Sequence, residues 1–255
     1  MRNLGCLGLF VVAGALGQEV RVRNGVVEAR KGTWGTVVQG EKGPAWVGYS
    51  VDGRAGECWE GGCCRGVVRL EPAGRVAVLY RVVEGKVEKV RFASVDCEID
   101  AGGLKVIWLN GVKGEESVRW LAEMAEVRGA VAALGMHRGA GEVEALAGLA
   151  RKHAGGRVRG DALFWLAQRA GEKAVGTITE AIDKDPDTDV KKRAVFALSQ
   201  LPKDESVRLL IQVARTNRNP VVRKQAFFWL GQSREPAALD FLEDILGTRG
   251  KGNAY

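Results

Sequence analysis

The stretch Val158-Arg159-Gly160-Asp161-Ala162-Leu163-Phe164-Trp165-Leu166-Ala167-Gln168 recurs as Val190 to Gln200 and again as Val222 to Gln232, at a step of 32 residues without insertion. A period held between roughly 20 and 50 residues marks an array of stacked supersecondary units, because one unit cannot bury its apolar face alone and does so against its neighbours. The punctuation keeps the same frame. Asn219-Pro220 offers an N-cap followed by proline at the first helical position, where the missing N–H costs nothing. Glu235-Pro236 repeats the proline, and Gly247 after Leu246 is a helix stop. Apolar positions of the intervening segments share the step: Ile178, Leu210 and Leu242 are 32 apart, as are Ile182, Ala214 and Leu246.

Upstream, Glu116-Ser117-Val118-Arg119-Trp120-Leu121 echoes Glu205-Ser206-Val207-Arg208-Leu209-Leu210, and Val127-Arg128-Gly129-Ala130 echoes Val158-Arg159-Gly160-Asp161 at a step of 31. The pattern predicts helices near 116–125, 127–136, 142–152, 158–169, 173–183, 189–200, 204–215, 220–232 and 236–246, an all-α array over 115–247 with a polar tail at 248–255.

V-R-x-x-A-x-x-x-L at the head of each pair, a second apolar helix and the 31–32-residue period resemble short HEAT repeats of the PBS-lyase HEAT-like kind, over residues 115–247. The resemblance implies a right-handed α-solenoid of about four helix pairs. It implies a role as an interaction scaffold of the exported bacterial type, and it carries no enzymatic activity from the family's name. It also implies that the basic residue after the leading valine (Arg128, Arg159, Lys191 or Arg223) pairs with an acid of a neighbouring repeat, with Asp161, Asp187 and Asp189 at hand.

At about 100° per residue, Val158, Ala162, Leu163, Trp165 and Leu166 form one broad arc, the expected stacking face. Phe164 falls on the opposite side, with Gln168 beside it, and the pattern returns as Phe196 with Gln200 and Phe228 with Gln232. Lys192 and Lys224 flank this line. Two readings stand: the phenylalanines pack between repeats, or they form an exposed aromatic stripe that anchors a partner. Trp165 and Trp229 lie in the stacking arc and are expected in the core.

Residues 18–112 read differently. Val20 to Arg23 alternates and Asn24-Gly25 follows, a strong hairpin signal before Val26-Val27. A second hairpin is expected from Arg75 to Phe92, turning at Glu84-Gly85-Lys86. Trp34 to Val38, Trp46 to Val51, Val67 to Leu70 and Leu104 to Leu109 supply further strand-like runs. The expected fold class is α+β by domain: a small antiparallel β domain, then the solenoid, joined at Gly111-Val112-Lys113-Gly114. In Asp96-Cys97-Glu98-Ile99-Asp100 the acids share one strand face and Cys97 and Ile99 point inward. That run lacks the spacing and turn glycine of a calcium loop.

Residues 1–17 carry Arg2 as their only charge, an apolar run from Leu4 to Gly14, and Ala15-Leu16-Gly17, the pattern of a secretory signal peptide. The run is shorter than the roughly 20 residues of a membrane span. Export to a periplasmic or extracellular space makes disulfides the expectation for Cys58, Cys63, Cys64 and Cys97. The favoured pairing joins Cys97 to Cys63 or Cys64, and Cys58 to the other. Zinc is the rival, but the spacing does not give C-x₂₋₄-C pairs, so no metal is assigned.

The net charge of +7 is spread along the chain rather than gathered, which makes nucleic acid an unfavoured partner. A polyanion binder using the Arg128, Arg159, Lys191, Arg223 ladder is the alternative to a protein scaffold. An accessory envelope enzyme is the second alternative. The two histidines, His137 and His153, read as surface residues, and no catalytic motif or cofactor site accompanies them.

Overall fold

A computed structural model describes residues 20–54, 74–95 and 97–247, which fall into two compact units, Met1–Glu142 and Val143–Tyr255. The expected signal peptide, the run Val67 to Leu70, Cys58, Cys63, Cys64, Asp96 and the tail 248–255 lie outside the described residues. Among the described residues no helix is long and apolar enough to cross a membrane, and no cluster of His, Cys, Asp and Glu could hold a metal ion.

The first unit is built on an antiparallel-rich sheet. Its strands are β1 (Arg21–Arg23), β2 (Val27–Arg30), β3 (Ala45–Asp52), β4 (Arg75–Val83), β5 (Lys86–Ser94), β6 (Glu98–Asp100) and β7 (Lys105–Leu109). The main sheet has the order β2-β7-β3-β4-β5. β3, β4 and β5 form the antiparallel centre, and β7 and β2 add parallel strands on one side. The β4–β5 hairpin forms as the alternation predicts: Glu84 and Gly85 both take positive φ, 50° and 73°, the turn whose twist matches the strands it joins.

The first expected hairpin does not form. Asn24 does take positive φ, but β1 pairs in parallel with β6 and β2 in parallel with β7. Val20, Val22 and Val27 gain more by packing on the cluster of Trp46, Leu79, Cys97, Ile99, Ala101, Val106 and Trp108 than by facing one another. The backbone at 24–25 threads against 100–104: Gly103 donates to the Asn24 carbonyl, and a Cβ at Gly25 would lie 2.5 Å from both Ala101 and the Leu104 oxygen.

The expected strand at Trp34 to Val38 is instead helix α1 (Trp34–Gly40). Thr33 caps it by accepting from the Thr36 N–H, and Trp34, Val37 and Val38 fall one helical turn apart. Helices α2 (Gly114–Glu123) and α3 (Ala130–Gly135) belong to this unit as well. The compact division therefore falls at 142/143, not at the glycine junction 111–114. Backbone pairing explains the difference. The Val90 N–H donates to the Arg128 carbonyl, Arg54 donates to the Met136 carbonyl, and Gly53 bridges to His137, so the segment around α3 is stitched to strand edges. The Val127-Arg128-Gly129-Ala130 echo accordingly leads into a shorter helix than expected, beginning at Ala130 rather than 127: Gly129 is its N-cap with φ 89°, and a Cβ there would lie 2.1 Å from the Val90 oxygen.

The second unit is helical. α4 (Glu142–Lys152) leads into α5 (Gly156–Ala170), a 3-10 turn (Gly171–Ala174) and α6 (Val175–Lys184). Then come α7 (Thr188–Ser199), α8 (Lys203–Thr216), α9 (Pro220–Gln232) and α10 (Pro236–Leu246). These boundaries fall within about two residues of the periodic reading. α5 packs on α7 and α7 on α9, while α6 packs on α7 and α8 on α9. Val158, Ala162 and Leu166, then Val190, Ala194 and Leu198, then Val222, Ala226 and Leu230, are all buried at 2% exposure or less. The repeated valine, alanine and leucine are thus the stacking face, each large side chain contributing about 1.5–3 kcal/mol by leaving water.

Candidate interaction surface

The phenylalanines opposite that face make contact across the repeats. Phe164 of α5 and Phe196 of α7 stack with centroids 5.7 Å apart and planes 2° from parallel. Phe196 continues to Trp229 of α9 at 5.0 Å, and Trp229 meets Phe228 edge-on at 5.0 Å. Trp165 meets Phe164 edge-on at 5.3 Å. The result is one aromatic ridge across α5, α7 and α9.

Packing between repeats and exposure to solvent both occur along this line. Phe164 and Phe196 are half-buried against each other, while Phe228 is 54% exposed. Trp165 and Trp229, expected in the core, are half-buried members of the ridge. Their rings are too wide for the arc that Ala197 fills in the middle copy, where that residue is fully buried, so they turn toward the phenylalanines. The Trp229 indole N–H is buried without a hydrogen-bond partner.

Amides and cations line the ridge as the wheel places them. Gln200 and Gln232 are exposed and Gln168 half-buried. Lys192 lies 2.9 Å from Asp189 and holds that carboxyl below its usual range, whereas Lys224 has Val221 at the corresponding position.

The basic ladder differs along its length: Arg159 is buried, Lys191 and Arg223 are half-buried and Arg128 is exposed. The Arg159 Nε and Nη2 donate to the two oxygens of Asp185 at 2.7 and 2.9 Å, and its Nη1 donates to the carbonyls of His153 and Ala154. Burial pushes the Asp185 carboxyl up, but the hydrogen bonds from Arg159 and from the Asp187 N–H outweigh it and hold it below the usual carboxylate value. Arg223 repeats the arrangement on the carbonyls of Asn217 and Arg218, and Lys191 donates to the Asp183 carbonyl. Arg128 lies in the first unit, in a bridge with Lys89. An acid does pair with Arg159, but it is Asp185; Asp161 bonds Arg193, and Asp187 caps α7.

A further period lies under this arrangement. His153, Asp185 and Asn217 are 32 apart, and each accepts from the backbone N–H two residues on: Gly155 at 3.0 Å, Asp187 at 2.9 Å and Asn219 at 3.0 Å. Three different side chains do one job, so the match in sequence is invisible while the match in acceptor chemistry is complete. A cavity of about 270 Å³ beside this loop is lined by Arg151, His153, Thr177, Glu180, Lys184 and Asp185. Arg151 crosses it to Thr177 and Glu180.

His137, expected at the surface, is completely buried in the first unit. Its Nδ1 donates to the Ala133 carbonyl at 2.9 Å, and its Nε2 is 2.7 Å from the Ser117 hydroxyl. For a neutral imidazole this fixes the polarity: Ser117 donates to Nε2 and accepts from Tyr49 at 2.6 Å, and Tyr49 accepts from Tyr80 at 2.5 Å. Burial pushes both phenols well above their usual range. The serine–histidine geometry resembles a nucleophile and base, yet both side chains have 0% exposure, so substrate has no path to them. The network fastens α2 and α3 to β3 and β4.

The family model of HEAT repeats matches residues 142–231 and 175–251. No curated protein matches the chain. The matched span, less than half of the chain, takes in the helices that share the 32-residue frame and the stacked faces, and this segment is similar to HEAT repeats.

Proposed function

We propose that this chain is an exported, non-enzymatic scaffold that binds another protein along the ridge of α5, α7 and α9. The observation that supports the reading is the continuous line Trp165, Phe164, Phe196, Trp229, Phe228, half-buried at one end and 54% exposed at Phe228. Rigid aromatic side chains already held by their neighbours lose little conformational entropy on binding, and they anchor interfaces for that reason. Gln168, Gln200, Gln232, Lys192 and Lys224 supply the polar rim.

The test is capture by crosslinking from the envelope fraction, with the wild-type chain against Phe196→Ala with Phe228→Ala. A partner held by wild type and lost at least about tenfold in the double variant, at unchanged circular dichroism, supports the reading. Equal capture by both overturns it. Export is tested by the intact mass of the mature chain, with cleavage after Gly17 expected. The proposed disulfides among Cys58, Cys63, Cys64 and Cys97 are tested by thiol titration in denaturant before and after reduction. The polyanion reading is not favoured, because the cationic heads of Arg159, Lys191 and Arg223 are engaged with loop carbonyls and Asp185.

A further inference from the structure

The first unit contains the tripeptide Asn-Gly-Val twice, as Asn24-Gly25-Val26 and as Asn110-Gly111-Val112. Asparagine is a thermolabile residue, and a following glycine exposes it further: without a Cβ, glycine leaves its own amide nitrogen open to approach and its backbone free to turn. The reacting groups are identical at the two sites, so the fold is what can set their reactivities apart.

At the first site the fold pins them. The Asn24 Nδ2 donates to both oxygens of Asp100, at 3.2 and 3.3 Å. Asp100 is held in turn by Arg23 at 3.0 Å and by the Gly102 N–H at 2.9 Å. The Asn24 carbonyl accepts from the Gly103 N–H at 2.6 Å. Bringing the Gly25 nitrogen onto the Asn24 side chain turns the peptide plane between them, which breaks the bond to Gly103. Gly25 is itself hemmed in by Ala101 and the Leu104 oxygen. The Asp100 carboxylate also opposes the negative charge that gathers on the attacking nitrogen.

The second site has none of these restraints among the described residues. Asn110 lies one residue past Leu109, the last paired residue of β7, and before α2 begins at Gly114. Asn110 and Gly111 are exposed, and the Asn110 side chain has no hydrogen-bond partner among the described residues. Gly111 has φ 77°, with nothing within 4 Å of where a Cβ would stand.

We propose that Asn110 is a site of spontaneous deamidation in the folded protein, and that Asn24 is protected. The Gly111 nitrogen gives up its proton to solvent and bonds to the Asn110 Cγ. The bond from Cγ to the side-chain nitrogen breaks, and ammonia leaves with a proton from solvent. The cyclic imide then takes up one water and opens at either carbonyl, to aspartate or to isoaspartate. Both products add one negative charge between β7 and α2, and isoaspartate also lengthens the backbone there by one carbon.

The test is incubation of the full chain at mildly alkaline pH, then digestion under acidic conditions and mass spectrometry that separates asparagine, aspartate and isoaspartate peptides. In the native chain Asn110 is expected to convert at least about tenfold faster than Asn24. In denaturant the two rates are expected to come within about twofold, since the fold that separates them is gone. Asp100→Ala, at unchanged circular dichroism, is expected to speed Asn24 severalfold and leave Asn110 as it was. Equal native rates, no conversion at Asn110, a gap that persists in denaturant, or an Asn24 rate indifferent to Asp100→Ala would each overturn the proposal.

Discussion

Arg159 and Asp185 form a two-pronged ion pair across the loop that leads into α7, with Nε–Oδ2 at 2.7 Å and Nη2–Oδ1 at 2.9 Å. Their side chains are 11% and 6% exposed. The remaining donor of Arg159 closes on the carbonyls of His153 and Ala154, so one guanidinium ties the loop before its own helix to the loop before the next. Arg159 is thus a clamp between consecutive units.

Removing either partner leaves the other buried and charged. Arg159→Ala and Asp185→Ala are each expected to destabilise the helical unit by about 3 kcal/mol. The double variant should cost clearly less than the sum. Hydrogen exchange of α5 and α7 amides against a chemical denaturation curve measures it. Single changes within a few tenths of wild type would refute the clamp.

The same pair sets an acid limit. Asp185 has its carboxyl pKa lowered by folding, as does Glu41 of the first unit, where burial raises the carboxyl but hydrogen bonds from Lys105 and Arg30 outweigh it. A carboxyl with a depressed folded pKa adds stability that is present above its unfolded value of about 4 and is lost as pH falls through the folded value. Melting temperature should therefore be flat from neutral pH down to about 5 and fall steeply below about 4. Asp185→Asn should melt lower at neutral pH and show a shallower acid slope; an unchanged slope would rule out Asp185 as a contributor.

Gly129 holds a positive φ with the Val90 carbonyl against it, 2.1 Å from where a Cβ would stand. Gly129→Ala meets both backbone strain and a contact with main chain that cannot swing away. A loss of about 3 kcal/mol or more is expected in the first unit, with exchange protection at Val90 lost first. Retained protection there would show that the bridge between Arg128 and Lys89 does not need this glycine.

Ser117→Ala removes the hydroxyl that both donates to His137 and accepts from Tyr49. Leaving these buried groups unpaired should cost about 1–3 kcal/mol by urea denaturation. Tyr80→Phe, at the end of the chain of bonds, should cost about 1 kcal/mol. Equal costs for the two would contradict the polarity assigned to the network.

The helical half was legible because its information is repeated. One 32-residue frame fixes the helices, their stacking face and the opposed phenylalanines, and a helix answers to periodicity within its own turn. The clamp was half legible. Arginine recurs at 159 and 223 with lysine at 191, but what these cations bond is mostly loop main chain, the carbonyls of His153, Ala154, Asp183, Asn217 and Arg218, which leaves no letter to match, with the Asp185 carboxylate added for Arg159. The echo at Val127 misplaced the start of α3 by three residues, because three matching letters carry little weight when Gly129 is held in a left-handed conformation by a strand far away in sequence.

In the first unit the strands β3, β4, β5 and β7 could be read from alternation and a turn dipeptide. The sequence alone determined that these segments are strands and that residues 142–246 are stacked helix pairs, since both depend on local periodicity and on turn chemistry. Tertiary structure alone decided that β1 and β2 part to seek β6 and β7, that Trp34 opens a helix, that His137 is sealed beside Ser117, and that α2 and α3 belong with the sheet. Each depends on which distant backbone edge or apolar surface is available to pair with, and that is a property of the folded neighbours, which no local pattern encodes.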